Sequence, residues 1–538
     1  MSRGAVALCS VIAASCGRDR PADPAYHLRV RVEPDGGTLT AVADIENPTD
    51  SIFTLTGDME LQRLVADGTP VHFRRVLVDS ASSTTEVTLT SGIPHRLVVE
   101  YAGRFNESSY PPIVSQVNMV RAGLVELASY AGWYPRFTNR PSFDFQVDVD
   151  VPSPYVTLTN GMLTRKASHD GRTLTTWEST GPTGDIALIS APRLRKRTVT
   201  HGDLTLEIYH DQLPDAYVDS MIGQLAASVD LLTGWFGAPS SAHLVRIAYA
   251  PRAGWGYVRV PLIIVSERYA LAQHAQPFGP ARDFKYLAHE IAHYWWHTAD
   301  ASTPDDWINE GLAEFSSLLV SERIIGTAFA DQLVTEYRDR AAHSITDTPI
   351  TETSGGSPDR ETNRYAKPVL LLQELRQQYG DTALTRFLRA AYARFRSSGR
   401  ATTQSFLQVL EQQLGGAAKG TFERGLQRRA WLTPIAGNDA YSYADTTFFG
   451  RWTGTLSQMG TDYQVILQLT SAGGNLLPAE GQRDTLRLTA VRATSDSLIW
   501  KIGAYGIEYA GVLDRGSMTI SGQWRQGGVP YPLDLSRR

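Results

Sequence analysis

At 538 residues, with 42% hydrophobic and 20% charged side chains, the chain is long enough for roughly three or four domains and apolar enough to fill their cores. That composition excludes a disordered tail, a coiled coil or a collagen. Lys and Arg number 51 against 56 Asp and Glu, giving a formal charge of -5, so no overall basic field exists and no nucleic-acid partner is expected.

The two cysteines, Cys9 and Cys16, both lie near the start, which excludes disulfides and cysteine-ligated metal from the rest of the chain. Residues 1–25 read as an export signal and tether: Arg3 is the positive start, Ala5 to Ala14 the apolar run, and Ser15-Cys16-Gly17 the small-residue cleavage region. Ala13-Ala14-Ser15-Cys16 resembles a bacterial lipobox; the alternative is a plain secretion signal with a chance cysteine. The lipobox resemblance implies lipidation of Cys16 and a cell-envelope lipoprotein, at the outer membrane or its periplasmic face, whose membrane contact is that lipid anchor.

Residues 26–200 alternate, as in Leu28-Val30-Val32 and Phe143-Phe145-Val147-Val149-Val151, with turns at Asp35-Gly36-Gly37, Asn160-Gly161 and Asp170-Gly171. Period-two runs broken by such dipeptides predict an N-terminal antiparallel β-sandwich. The basic run Arg193, Arg195, Lys196, Arg197 is expected to be a solvated turn. From Leu213 the period lengthens: Tyr217, Met221, Leu225, Val229, Leu232 and Phe236 mark an amphipathic helix. Residues 201–436 are expected to be mainly helical, with a strand pair at 244–250 and 256–265. Residues 446–538 return to short strands and Gly turns, a small C-terminal antiparallel β barrel or sheet. The fold class is therefore multidomain α+β.

One constellation carries chemistry. In Phe284-Lys285-Tyr286-Leu287-Ala288-His289-Glu290-Ile291-Ala292-His293-Tyr294-Trp295, Phe284, Leu287, Ala288, Ile291 and Trp295 form an apolar stripe, and His289 and His293 share another face. Histidines at i and i+4 on a helix can both reach one Zn²⁺, while Glu290 is placed to take a proton from metal-bound water. Further on, Thr303-Pro304-Asp305-Asp306 is a helix-start signal ahead of Trp307-Ile308-Asn309-Glu310-Gly311. That second helix can bring Glu310 to the metal as third ligand and leave the fourth position for water. Glu314 either accepts a hydrogen bond from a ligand histidine's other nitrogen or is an ordinary solvated glutamate. His297 is a rival ligand, with a surface role as its alternative, and Trp295, Trp296 and Trp307 read as core.

His289-Glu290-x-x-His293 with Trp307-x-Asn309-Glu310-Gly311 resembles the zinc site of the aminopeptidase N family of metallopeptidases, within the gluzincins. The resemblance covers roughly residues 26 to 436 and implies a thermolysin-like catalytic domain, one Zn²⁺ per chain and peptide substrates. Val125-Glu126-Leu127-Ala128 with Trp133-Tyr134-Pro135 is similar to the stretch that faces the substrate's amino end, which implies a substrate-binding role for Glu126. Arg364-Tyr365-Ala366-Lys367 is similar to the family's Tyr-x-Lys-Gly, which implies that Tyr365 donates to the tetrahedral intermediate, although Pro368 replaces the Gly. Where the family's amine-binding strand carries Gly-x-Met-Glu-Asn, this chain reads Gly256-Tyr257-Val258-Arg259-Val260, so Arg259 replaces the glutamate that grips a free amine. The expected function is a zinc metallopeptidase, aminopeptidase-like but with that strand altered. The alternative is an envelope lipoprotein that uses the fold for binding or assembly.

Overall fold

Alternate side chains along Ala25–Glu33 and Thr38–Glu46 are buried, so Leu28, Val30 and Val32 share one face with Leu39, Ala41 and Ala43 of the antiparallel neighbour. The computed structural model that shows this describes residues 24–537 apart from short stretches, the longest being 106–118, 430–440 and 478–485. The expected signal segment, with Cys16, lies outside the described residues.

The two strands sit inside an eight-stranded sheet. One pair departs from the expected antiparallel pattern, since Ala25–Glu33 also pairs parallel with Asp144–Pro152. Parallel pairing needs a long return path, and the chain between them supplies it by building further strands of this sheet and of two four-stranded sheets. The Asp170-Gly171 turn between Met162–His169 and Arg172–Glu178 has φ of 44° and 73°, the doubly left-handed turn that suits a twisted hairpin.

A five-stranded sheet joins this β region to the helices, in the order Arg195–His201, Leu204–His210, Leu244–Ala250, Leu262–Ser266, Tyr257–Arg259. Tyr209, Ala248, Ala250, Leu262 and Ile264 pack into the N-terminal β core, while Leu206, Ile208, Val245, Ile247 and Ile263 pack against the helices. Burial on both faces explains why Leu244–Ala250 carries apolar side chains without alternation, save Arg246, which is buried against Glu207. Of the basic run, Arg193 lies in an exposed turn as expected, but Arg195, Lys196 and Arg197 open an edge strand: Arg195 and Arg197 pair with Asp215, tying that strand to the Asp215–Phe236 helix, and Lys196 pairs with Glu207.

Helices Asp215–Phe236, Gly279–Ala292, Trp307–Ile324, Thr327–Ala342 and Lys367–Ser398 share one hydrophobic core. Among the described residues, no helix is long and apolar enough to cross a membrane. The C-terminal strands, Tyr441–Tyr443 to Val529–Arg537, form a ten-stranded sheet around Trp452, Trp500, Tyr509 and Leu533. It curls into a nearly closed barrel: Tyr441, on one edge strand, packs against Gly473 near the other, where a Cβ would meet its ring at 2.8 Å. One pair here is parallel too, Tyr441–Tyr443 with Ala490–Ala493.

Candidate active site

The site grows from one helix. Gly279–Ala292 buries Phe284, Leu287, Ala288 and Ile291 in the core, and the same periodicity carries His289 and Glu290 inward from the other side. The helix ends sooner than the apolar stripe predicts: His293 is its C-cap, and Tyr294 and Trp295 close a tighter turn through N–H donation to Ile291 O and Ala292 O. His293 retains helical dihedrals, φ -62° and ψ -14°, so the one-turn stacking with His289 survives. Their rings lie 4.8 Å apart and nearly perpendicular.

Thr303 accepts from Asp305 N and starts the single turn Pro304–Asp306, which leads into Trp307–Ile324. Asn309 exchanges hydrogen bonds with Ala299 N and O at 3.0 Å, fastening the loop between the helices to the first turn of the second. Glu310 Oε2 then lies 3.3 Å from His289 Nε2 and 3.5 Å from His293 Nε2. Those separations match the edge of a tetrahedron around Zn²⁺, about 3.3 Å for bonds of about 2.05 Å. Among the described residues this triad is the one group of three His, Cys, Asp or Glu side chains that could hold a metal ion.

The donors are held from behind. His293 Nδ1 lies 2.9 Å from Trp296 O and His289 Nδ1 lies 2.9 Å from Glu314 Oε2, which turns both Nε2 atoms toward Glu310. Glu314 is buried, not solvated; Lys285 Nζ donates to it, and so does Tyr337 hydroxyl at 2.7 Å. Arg364 Nη2 donates to Glu310 Oε1 at 2.8 Å and bridges to Asp306 Oδ2 at 2.6 Å, leaving Glu310 Oε2 for the histidines.

Burial pushes the Glu310 carboxyl up, but His293 and His289 outweigh it and hold the group well below the ordinary range. Conversely, burial lowers His289 while Glu310 and Glu314 raise it further, to about 9. The local field therefore favours positive charge between these donors, as a divalent cation would supply. Glu290 is pushed the other way, upward by burial with the histidines opposing, which suits a carboxyl that must bind and release a proton. The donor set, its spacing and its field all fit Zn²⁺.

Tyr365 lies beside this group, its ring 5.6 Å from that of His289. It sits in a π-helical turn, Thr362–Ala366, ahead of Lys367–Ser398. Gly311 makes the approach possible, because a Cβ there would lie 2.6 Å from Pro368 Cβ and 3.1 Å from Arg364 O. Burial and the Glu310 charge raise the Tyr365 phenol well above its ordinary value, so it stays a donor.

Other expected residues are not members of the triad. His297 is outside it, with Nδ1 2.8 Å from His293 O. Trp295, Trp296 and Trp307 are buried in the core. Glu126 is wholly buried and held in two places by Arg252, whose Nε and Nη2 donate at 2.7 and 2.6 Å. Arg259 donates from Nε to Asp185 Oδ2 at 2.5 Å. The motif spacing missed Arg252, Arg364 and Lys285, which lie far in sequence from the carboxylates they hold.

No family model and no curated protein matches the sequence. Solved structures do. A mutant M1 zinc metallopeptidase from Deinococcus radiodurans aligns over 77% of this chain and 97% of its own at 20% identity, with a TM-score of 0.58. A two-domain M1 zinc metallopeptidase mutant bound to L-tryptophan aligns over the same shares at 20% identity and 0.59. The Deinococcus radiodurans mutant bound to a Tyr-Ser-Ala substrate covers 77% and 95% at 20% identity and 0.57. At such identities the likeness is one of architecture: this chain has the fold of the M1 zinc metallopeptidases, the aminopeptidase N-like group.

Proposed function

We propose that the protein is a zinc-dependent peptide hydrolase, and the observation that carries this is the convergence of His289 Nε2 and His293 Nε2 on Glu310 Oε2 at tetrahedral spacing beside Glu290. His289, His293 and Glu310 would hold one Zn²⁺ per chain, which when bound supplies a Lewis acid for the scissile carbonyl and the attacking water. Glu290 takes the proton of that water as its oxygen bonds to the carbonyl carbon, then gives it to the leaving nitrogen as the C–N bond breaks. Tyr365 hydroxyl donates to the oxygen that becomes negative. The M1 neighbour bound to a Tyr-Ser-Ala substrate supports a peptide as the substrate. Arg259, where an amine-binding glutamate is expected, makes the specificity differ from a simple aminopeptidase.

Purified protein is expected to contain about one zinc per chain. His293→Ala should lose the metal, whereas Glu290→Gln should keep it and lose turnover of a peptide library. Full turnover by Glu290→Gln would end this reading, and zinc without turnover in the wild type would favour the binding alternative.

Export and anchoring belong to the same proposal. Cys16→Ser should abolish incorporation of labelled palmitate and move the protein from the membrane to the soluble fraction of the envelope. Membrane association that survives without label would place the attachment on the folded surface.

A further inference from the structure

An α-ammonium held in a water-poor site needs a carboxylate, because leaving that charge buried and unpaired is strongly unfavourable. Among the described residues, three carboxylates at the triad besides Glu290 already have cations. Glu310 faces two imidazoles and Arg364, Glu314 faces Lys285 and His289, and Asp306 faces Arg364. The wall beside Glu290 shows the same pattern. Tyr286, one turn before Glu290, takes Gly256 N–H on its hydroxyl at 2.7 Å, which seats the start of the Tyr257–Arg259 edge strand beside this helix. Behind it Arg252 holds both oxygens of Glu126, and these two side chains are 1% and 0% exposed. Next along, Arg259 of the Tyr257–Arg259 strand holds Asp185, which also accepts from Tyr134 hydroxyl at 3.0 Å and Ser129 hydroxyl at 2.7 Å. Taking Glu126 for a ligand would strand the buried Arg252 guanidinium, so that carboxylate is not available for exchange.

Resting on the peptidase reading above, we infer that this site takes its substrate on the Arg252–Arg259 side as a neutral amide and disfavours a terminal ammonium, so it cleaves internal bonds or peptides with blocked amino ends. Arg252 and Arg259 are the residues that set this specificity, each by neutralising a carboxylate.

The test uses the full zinc-loaded chain and one peptide in three forms: free amino end, N-acetylated, and extended by four residues on its amino side. The acetylated and extended forms should exceed the free form in kcat/KM by about tenfold or more, and the free form should gain as pH rises through its own amine titration near about 8. Acetylated and extended forms separate blocked ends from internal segments as the source of the neutral amide. Arg259→Met, which releases Asp185, should raise the free form relative to the acetylated one. Free-amine cleavage equal to or better than acetylated would overturn the inference and leave the peptidase standing. Binding is read separately on Glu290→Gln by calorimetry with L-tryptophanamide and N-acetyl-L-tryptophanamide, which differ only at the amino end, so loss of all turnover would count against the peptidase alone. Tighter binding of L-tryptophanamide would overturn the inference by itself.

Discussion

Tyr365 and Arg364 are neighbours with separable tasks. The Tyr365 ring lies beside His289 and 5.3 Å from the Arg364 guanidinium, while Arg364 holds Glu310 Oε1. On the proposed mechanism Tyr365→Phe removes a hydroxyl used mainly in the transition state, so kcat should fall by about 10² to 10³ with KM and zinc content nearly unchanged. An unchanged kcat would assign the oxyanion donor to another group. Arg364→Met frees Glu310 to rotate and should instead weaken zinc affinity by about 10 to 100-fold, read by competition with a chromogenic chelator. The Tyr365 position was legible in the sequence through Tyr-x-Lys, whereas the clamp on Glu310 was not. A hydrogen bond between two residues 54 positions apart leaves no periodic trace.

At the scale of elements, the legible parts were those where one face repeats. The Asp215–Phe236 helix buries Tyr217, Met221, Leu225, Val229, Leu232 and Phe236 as its spacing predicts. Legibility failed where tertiary contacts decide. The histidine helix stops at Ala292 although the apolar pattern runs on to Trp295, because Trp295 and Trp296 reach the core from a turn and bond Gly237 O and Ser316 Oγ. Likewise Arg195–His201 became a strand because it pairs antiparallel with Leu204–His210, with Asp215, Asp219 and Glu207 opposite its cations. Close approach is the third case, since Gly311 signals it only when the partner is known. Gly311→Ala should crowd Pro368 and Arg364 O, costing roughly 1 to 3 kcal/mol in denaturant unfolding and shifting the Tyr365 turn, so kcat falls as well. Wild-type stability and kcat in that variant would show that the two helices can separate without consequence.

Across the whole molecule, three elements of the helical core meet at one buried acid. Asp283, on the histidine helix and 1% exposed, accepts from Tyr249 hydroxyl of the central sheet at 2.9 Å and from Tyr217 hydroxyl of the Asp215–Phe236 helix. Burial pushes its carboxyl up to about 6, with the two hydroxyls opposing the shift. In the unfolded chain the group titrates near about 3.9, so between these values the folded state holds the proton that the unfolded state has lost. Stability from this residue is therefore undiminished below about pH 4, declines as pH rises, and is lowest above about pH 6, a swing of about 3 kcal/mol. Asp283→Asn keeps an acceptor for both tyrosines and removes the ionisation. Denaturant unfolding of the two proteins at pH 4 and pH 7 should show the variant gaining on the wild type by about that amount, because other titrating groups cancel in the difference. A difference that stays flat across this range would mean that Asp283 is ionised in the fold at no cost, and that the junction of sheet and helices tolerates a buried charge.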